Sequence, residues 1–381
     1  MHKLPIGIQS FEVMREQNFV YVDKTQTIHH LVTEGMYYFL ARPRRFGKSL
    51  LVSTLRCLFE GRRELFDGLW IGGPGRWEWQ PHPVLVLDFN QIARDTPENL
   101  RLGLVRALDH KAQGYQLALS DPLLEGRFVE LLVGLHQATQ QPVVVLIDEY
   151  DKPLIDHLGR GEAALAIARA NRDILRSFFG VLKGQDVARI LRLVLLTGVS
   201  RFSRVSVFSA LNNLQDISSS MRYANLLGYT SVELDDYFAA HIANFAAETG
   251  QPVEAIRTGL AQYYDGYRFS GNPLKLYNPF SVLNALRDLR FGNYWFETGT
   301  PTFLINLLKE DQYPLPQLEG LEVSASVFSS FDIDRLTPEA LLFQTGYLTI
   351  QDVQDDIYTL NYPNQEVKTT FTEALFFAML E

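Results

Sequence analysis

The sequence predicts an α/β protein. A three-layer sandwich around a mostly parallel five-stranded sheet occupies residues 1–229, and a helical, winged-helix-like domain occupies 230–381. Three observations predict it. Short apolar runs alternate with longer helical patterns up to about residue 230. After Gly228 the pattern changes to capped helices and hairpin signals. The chain has 381 residues, 46% of them apolar and 21% charged, which suffices for two domains with ordinary cores.

The apolar runs lie at residues 37–41, 84–89, 143–147 and 191–196. Runs without a polar alternation read as strands covered on both faces, the mark of a parallel sheet. Residues 225–229 are a weaker candidate for the fifth strand. The helical pattern over 97–139 has the length of a right-handed crossover. Thr230-Ser231-Val232-Glu233 is a capping box that opens a helix, and another helical pattern covers 252–264. Ser270-Gly271-Asn272-Pro273 reads as the turn of a hairpin. Asn278-Pro279 pairs an N-cap with a first-turn proline. Thr337-Pro338-Glu339 starts a further helix that Gly346 stops. A second hairpin follows over 347–360, so helix then hairpin resembles the end of a winged-helix module. The pattern over 367–380 meets no glycine or proline before Glu381, and reads equally as a truncation or as a natural helical end.

Charge and cysteine content exclude several classes. The formal charge of −9 argues against coating nucleic acid or anionic membrane over a wide area, while leaving room for a local basic groove. One cysteine, Cys57, excludes an intramolecular disulfide and a cysteine-only zinc site, and its apolar helical setting reads as a buried, inert thiol. The N-terminus has no signal-peptide apolar region, and the longest apolar run is far too short to span a bilayer. A cytoplasmic protein without membrane contact is expected.

Arg42-Pro43-Arg44-Arg45-Phe46-Gly47-Lys48-Ser49 follows the first strand and precedes a helical pattern. This is the Walker A setting, strand before and helix after, with Arg42 where the first glycine belongs. Backbone N–H groups of Arg44, Arg45, Phe46, Gly47, Lys48, Ser49 and Leu50 are placed to cradle phosphates at a helix N-terminus. Lys48 would reach the β and γ phosphates, and the Ser49 hydroxyl would ligate Mg²⁺. Gly47 would let the backbone close on the anion without a Cβ clash. Arg42, Arg44 and Arg45 read as ligands for phosphate, substrate or a neighbouring subunit, or as a solvated loop face.

The strand over 143–147 ends in Asp148 and Glu149, the Walker B pattern. Asp148 is placed for the Mg²⁺ shell and Glu149 for the attacking water. The lack of an Asn-Lys-x-Asp motif favours ATP over GTP. After the fourth strand, Thr197 or Ser200 is placed to sense the γ-phosphate, and Arg201 or Arg204 to stabilise charge in cis or in trans.

Leu4-Pro5-Ile6-Gly7, Tyr21-Val22-Asp23-Lys24-Thr25, the loop over 39–49, Leu146-Ile147-Asp148-Glu149-Tyr150-Asp151, Thr197-Gly198-Val199-Ser200-Arg201-Phe202, Tyr264-Asp265-Gly266-Tyr267 and Tyr277-Asn278-Pro279-Phe280-Ser281 together resemble the predicted AAA-ATPase-like family of bacteria and archaea. The resemblance spans nearly the whole chain. It implies a P-loop NTPase core followed by a helical or winged-helix lid, and it makes an arginine at position 42 usual. Members commonly continue into a PD-(D/E)XK nuclease domain, and the sequence is expected to stop before it. Glu366-Val367-Lys368 fits that domain's acid-x-lysine tripeptide but opens a helical pattern, and reads as a chance match.

The expected function is Mg²⁺-dependent ATP hydrolysis coupled to an effector, with nucleic acid or a second copy of the chain as further partners. The alternatives are a nucleotide-gated switch, or a winged-helix nucleic-acid-binding module, with little or no hydrolysis. Residues 21–25 read as closing over the base or ribose, or as simply packing beside the sheet.

Overall fold

The computed structural model describes residues 1–201, 211, 213–295, 302–310, 313, 318–328 and 337–380. Helices α1 (Phe11–Glu16) and α2 (Thr25–Glu34) precede strand β1 (Tyr37–Ala41) and helix α3 (Lys48–Phe59). Next come β2 (Val84–Asp88), α4 (Pro97–Gln113), α5 (Leu124–Thr139) and β3 (Val143–Asp148). They are followed by α6 (Lys152–Ile155), α7 (Glu162–Gly180), α8 (Gln185–Ala188), β4 (Leu191–Gly198) and β5 (Gln215–Asp216).

The five strands form one all-parallel sheet in the order β2-β3-β4-β1-β5. β4 thus lies between the strand that feeds the phosphate loop and the strand that ends in the acids. Register aligns their ends: Ala41 faces Gly198, Ile147 faces Leu196, and Asp88 faces Asp148.

The period-two alternation of each strand sorts its side chains to two cores. Phe39, Leu85, Val145 and Val194 meet α4, α5 and α7 through Leu104, Phe128 and Phe178. Tyr38, Leu40, Val144 and Leu195 meet α1, α2 and α3 through Phe11, Leu31 and Leu55. Cys57 belongs to the second core, and burial pushes its thiol up to about 11, as expected of an inert residue.

The edge strand differs from expectation. Residues 225–229 do not join the sheet. Tyr229 instead bridges antiparallel to Tyr277, and the fifth strand is the two-residue β5 beside β1. A strand of two polar residues carries no hydrophobic period, so nothing in the pattern marks it.

The remaining elements are α9 (Ser231–Thr249), α10 (Val253–Tyr264), α11 (Pro279–Asp288), α12 (Thr302–Glu310), β6 (Leu321–Ser324), α13 (Pro338–Thr345), β7 (Thr349–Gln354), β8 (Ile357–Asn361) and α14 (Gln365–Leu380). The capping box at Thr230 and Glu233 forms in full, and Asn278 caps α11 by accepting from the Ser281 N–H. β7 and β8 join through Asp355 and Asp356, both at positive φ, as a two-residue hairpin of matching twist requires. β6 adds to this hairpin, giving the order β6-β8-β7. The Glu366 carboxylate is buried and accepts from Ser281 Oγ and the Trp295 N–H, inside a helix as the sequence reading held.

The core on the α4–α5–α7 face continues into this half through Tyr267, Phe269, Trp295, Phe343 and Tyr347. It covers the phosphate loop from outside. Phe46 is buried edge-on against Tyr267 and Phe269, with ring centroids 4.8 and 5.3 Å away. Gly346 ends α13 at φ +90°, and a Cβ there would come within 2.7 Å of Pro43. The Trp295 indole N–H donates to the Arg44 carbonyl at 3.0 Å.

Candidate functional site

The C-terminal ends of the central strands open into a cleft of about 430 Å³. Its lining includes Arg44, Arg45, Gly47, Lys48, Ser49 and Leu50 from the phosphate loop and the start of α3. Glu149 and Lys152 enter from the segment after β3, Asp88 and Asn90 from the end of β2, Tyr229 from just before α9, and Phe280 from α11. Four cations thus face two acids, in a chain of net charge −9.

Backbone geometry shapes the loop. Gly47 sits at φ +95° as the N-cap of α3. A Cβ there would meet protein only at Leu227, 3.9 Å away, so within the protein it is the left-handed conformation that calls for glycine. Arg45 also has positive φ, at 66°. Lys48 is buried, and its ammonium donates to the carbonyls of Arg42 and Pro43 at 3.0 and 3.1 Å. Burial pulls its pKa down, while Glu149, Asp148 and Asp151 pull it back up.

Arg42 continues the sheet ladder by donating its N–H to the Gly198 carbonyl. Its side chain is buried away from the cleft. The guanidinium lies 4.4 Å from the Phe269 ring centroid and donates to the carbonyls of Ala41 and Ser218. Burial and the neighbouring Arg201 pull it down to about 9. An arginine at the first loop position therefore anchors the loop to its surroundings. Arg44 and Arg45 are exposed and do face the cleft, and Arg45 covers the Phe280 ring at 4.9 Å.

Asp148 is buried beneath the loop, bonded to the hydroxyls of Ser49 and Thr197. Burial raises its pKa against those two hydrogen bonds. Thr197 is fully buried and does not line the cleft; its contact with the site is the hydrogen bond to Asp148. Glu149 is half-buried, lines the cleft and holds φ +52°. A left-handed glutamate is unfavourable by about 1–2 kcal/mol, and such strain gathers where a side chain is being aimed.

The structure does not bring Arg201 into the cleft. Its guanidinium donates to the Phe328 carbonyl and Ser219 Oγ and lies 3.6 Å from Asp216. Its backbone N–H donates to Gln344 Oε1 on α13. The alternative, Arg204, lies outside the described residues. Phe46 turns its ring out of the cleft, leaving only its backbone for an anion.

Asp151 was not singled out from sequence. It is buried and accepts from the N–H groups of Val199 and Ser200 at 2.9 and 2.7 Å, bracing the turn after β4. Burial pushes its carboxyl up to about 6, against the Ser200 bond that lowers it. A folded-state value above the unfolded one means the native state binds the proton more tightly. This group therefore costs stability above about pH 6, and the cost fades as pH falls toward 4. Asp151→Asn is expected to raise stability at pH 7 by up to about 3 kcal/mol, with the gain shrinking by pH 5. Melting temperatures of both proteins across pH 4–8 check this; parallel curves would refute it.

A second, apolar pocket of about 70 Å³ adjoins Gly47 and is lined in part by Tyr21, Val22, Lys24, Leu227 and Tyr229. Of the Asp23-Lys24-Thr25 run, Lys24 lines it. Asp23 accepts from the Trp70 and Thr25 N–H groups, Thr25 Oγ1 accepts from Ile71, and Lys24 pairs with Glu233 at 2.5 Å.

Three comparisons bear on these residues. The family model AAA-ATPase_like, described as Predicted AAA-ATPase, matches residues 5–208. An uncharacterized protein in the vnfD 5′ region of Azotobacter chroococcum mcd 1 is 43% identical over 385 residues, covering 99% of this chain and 70% of that protein. No solved structure matches.

Proposed function

Because the chain belongs to the AAA-ATPase-like family of predicted AAA-ATPases, we propose that it binds ATP with magnesium and hydrolyses it, and that nucleotide state is passed to its C-terminal half. The observation that carries this is the cleft itself. A phosphate loop, a carboxylate and an excess of cations meet at the ends of parallel strands in an otherwise acidic chain.

In this reading residues 1–229 form the nucleotide-binding core, and 230–381 form a lid that ends in a winged-helix-like unit. The triphosphate lies along residues 44–50, and the base enters the apolar pocket beside Tyr21 and Tyr229. Lys48 exchanges its two loop carbonyls for phosphate oxygens. The Ser49 hydroxyl and Asp148 carboxylate, already in contact, are the hard oxygen donors that magnesium takes. Among the described residues no group of three or more His, Cys, Asp or Glu forms a cage, which suits an ion completed by substrate phosphates and water. Bound there, magnesium supplies charge neutralisation on the phosphates. Glu149 orients the attacking water and accepts its proton.

Transmission to the C-terminal half has two physical routes. The loop is held through Phe46 and the Arg44 carbonyl, and the turn after β4 through Gln344 and Phe328. Among the described residues no helix is long and apolar enough to cross a membrane.

Titration calorimetry with Mg-ATP and Mg-GTP, with phosphate release measured in parallel, tests the reading. Heat and steady release with ATP, both lost on chelation of magnesium, are expected. No heat with either nucleotide would refute it.

A further inference from the structure

Phosphoryl transfer gathers charge on the γ-phosphate oxygens, and a cation there acts chiefly in the transition state. With Arg201 committed elsewhere, one cation among the described residues lining the cleft comes from the segment that follows the acids of β3. Lys152 lines it, three residues after Glu149, and its N–H donates to the Glu149 carbonyl at 3.1 Å, so the tight turn fixes both residues together. The other lining cations come from a different segment: Lys48, which the acids also reach, Arg44 and Arg45 belong to the phosphate loop and the start of α3.

The Lys152 ammonium is weakly held. It lies 3.9 Å from Asp156 Oδ1, while Asp156 Oδ2 is taken by Arg94 at 2.6 Å. A half-exposed pair at that distance contributes little, so the side chain can leave Asp156 at small cost.

From this geometry, and resting on the ATPase reading of the cleft, we infer that Lys152 is a catalytic residue that donates to a γ-phosphate oxygen during transfer. Water forms its bond to γ-phosphorus and gives a proton to Glu149. The bond from phosphorus to the bridging oxygen breaks, and its electron pair leaves on ADP. Lys152 keeps its proton throughout and stabilises the equatorial charge.

Lys152→Met in the full chain tests this. Turnover is expected to fall about 100-fold or more, with ADP affinity within about threefold of wild type. Affinity for ADP–aluminium fluoride should fall by about the same factor as turnover, which a merely structural role would not produce. Lys152→Arg should recover much of the loss, and Asp156→Asn, which removes the ion-pair partner that Lys152 shares with Arg94, should stay near wild type. Unchanged turnover or unchanged ADP–aluminium fluoride affinity in Lys152→Met would overturn the inference, as would Asp156→Asn reproducing the loss. A wild-type chain that binds no ATP would instead overturn the ATPase reading on which it rests.

Discussion

Lys48→Ala is expected to weaken ATP binding by at least about 100-fold and to abolish hydrolysis. A charge-assisted contact to an anion is worth about 1.5–3 kcal/mol, and one lysine facing two phosphates makes more than one such contact. The groups that now hold the ammonium, the carbonyls of Arg42 and Pro43, belong to the loop itself. Ligand entry therefore swaps neutral acceptors for charged ones at nearly the same place. Folding should survive the change, because Lys48 is a buried cation whose burial already disfavours its charge. Calorimetry on the folded variant, with circular dichroism as control, reads the effect. Wild-type affinity in a folded Lys48→Ala protein would remove the phosphate loop from the proposal.

The parts of this site legible in sequence share one property: their signal is local. The apolar runs announce β1 to β4, the turn after β1 carries Gly47-Lys48-Ser49, and Glu233 lies three residues after Thr230. Parallel pairing then follows from the crossover lengths. What was not legible depends on where distant segments meet. Asp88 ends an apolar strand just as Asp148 does, so its place in the cleft had a signal that went unused. Arg201 looked like a catalytic cation because it follows the right strand. Its direction is set by Phe328 and Asp216, 127 and 15 residues away respectively, which no local pattern encodes. Phe46 looked like one more loop residue, yet Tyr267 and Phe269 decide that its ring turns outward. Lys152 carried no motif, and only its geometry beside Glu149 singles it out.

Glu149→Gln is expected to lower turnover by about 10²- to 10³-fold while ATP affinity stays within about threefold. The amide keeps the size and hydrogen-bonding reach of the carboxylate but cannot accept the proton of the attacking water, and general-base assistance is worth about 10²–10⁴. Binding should persist because the proposed phosphate contacts come from residues 44–50, and the variant should accumulate bound ATP. The backbone gives an independent check. Glu149 holds a left-handed conformation that glycine adopts freely. Glu149→Gly should therefore lose turnover without the drop in melting temperature that a cleft-lining truncation would otherwise bring, since relief of about 1–2 kcal/mol of strain offsets the lost contacts. Strain held for aiming a side chain predicts this divergence of activity from stability. A Glu149→Gln protein that turns over at the wild-type rate would show that another group handles the water. A Glu149→Gly protein that melts several degrees lower would show that the left-handed turn stabilises the fold instead of serving the chemistry.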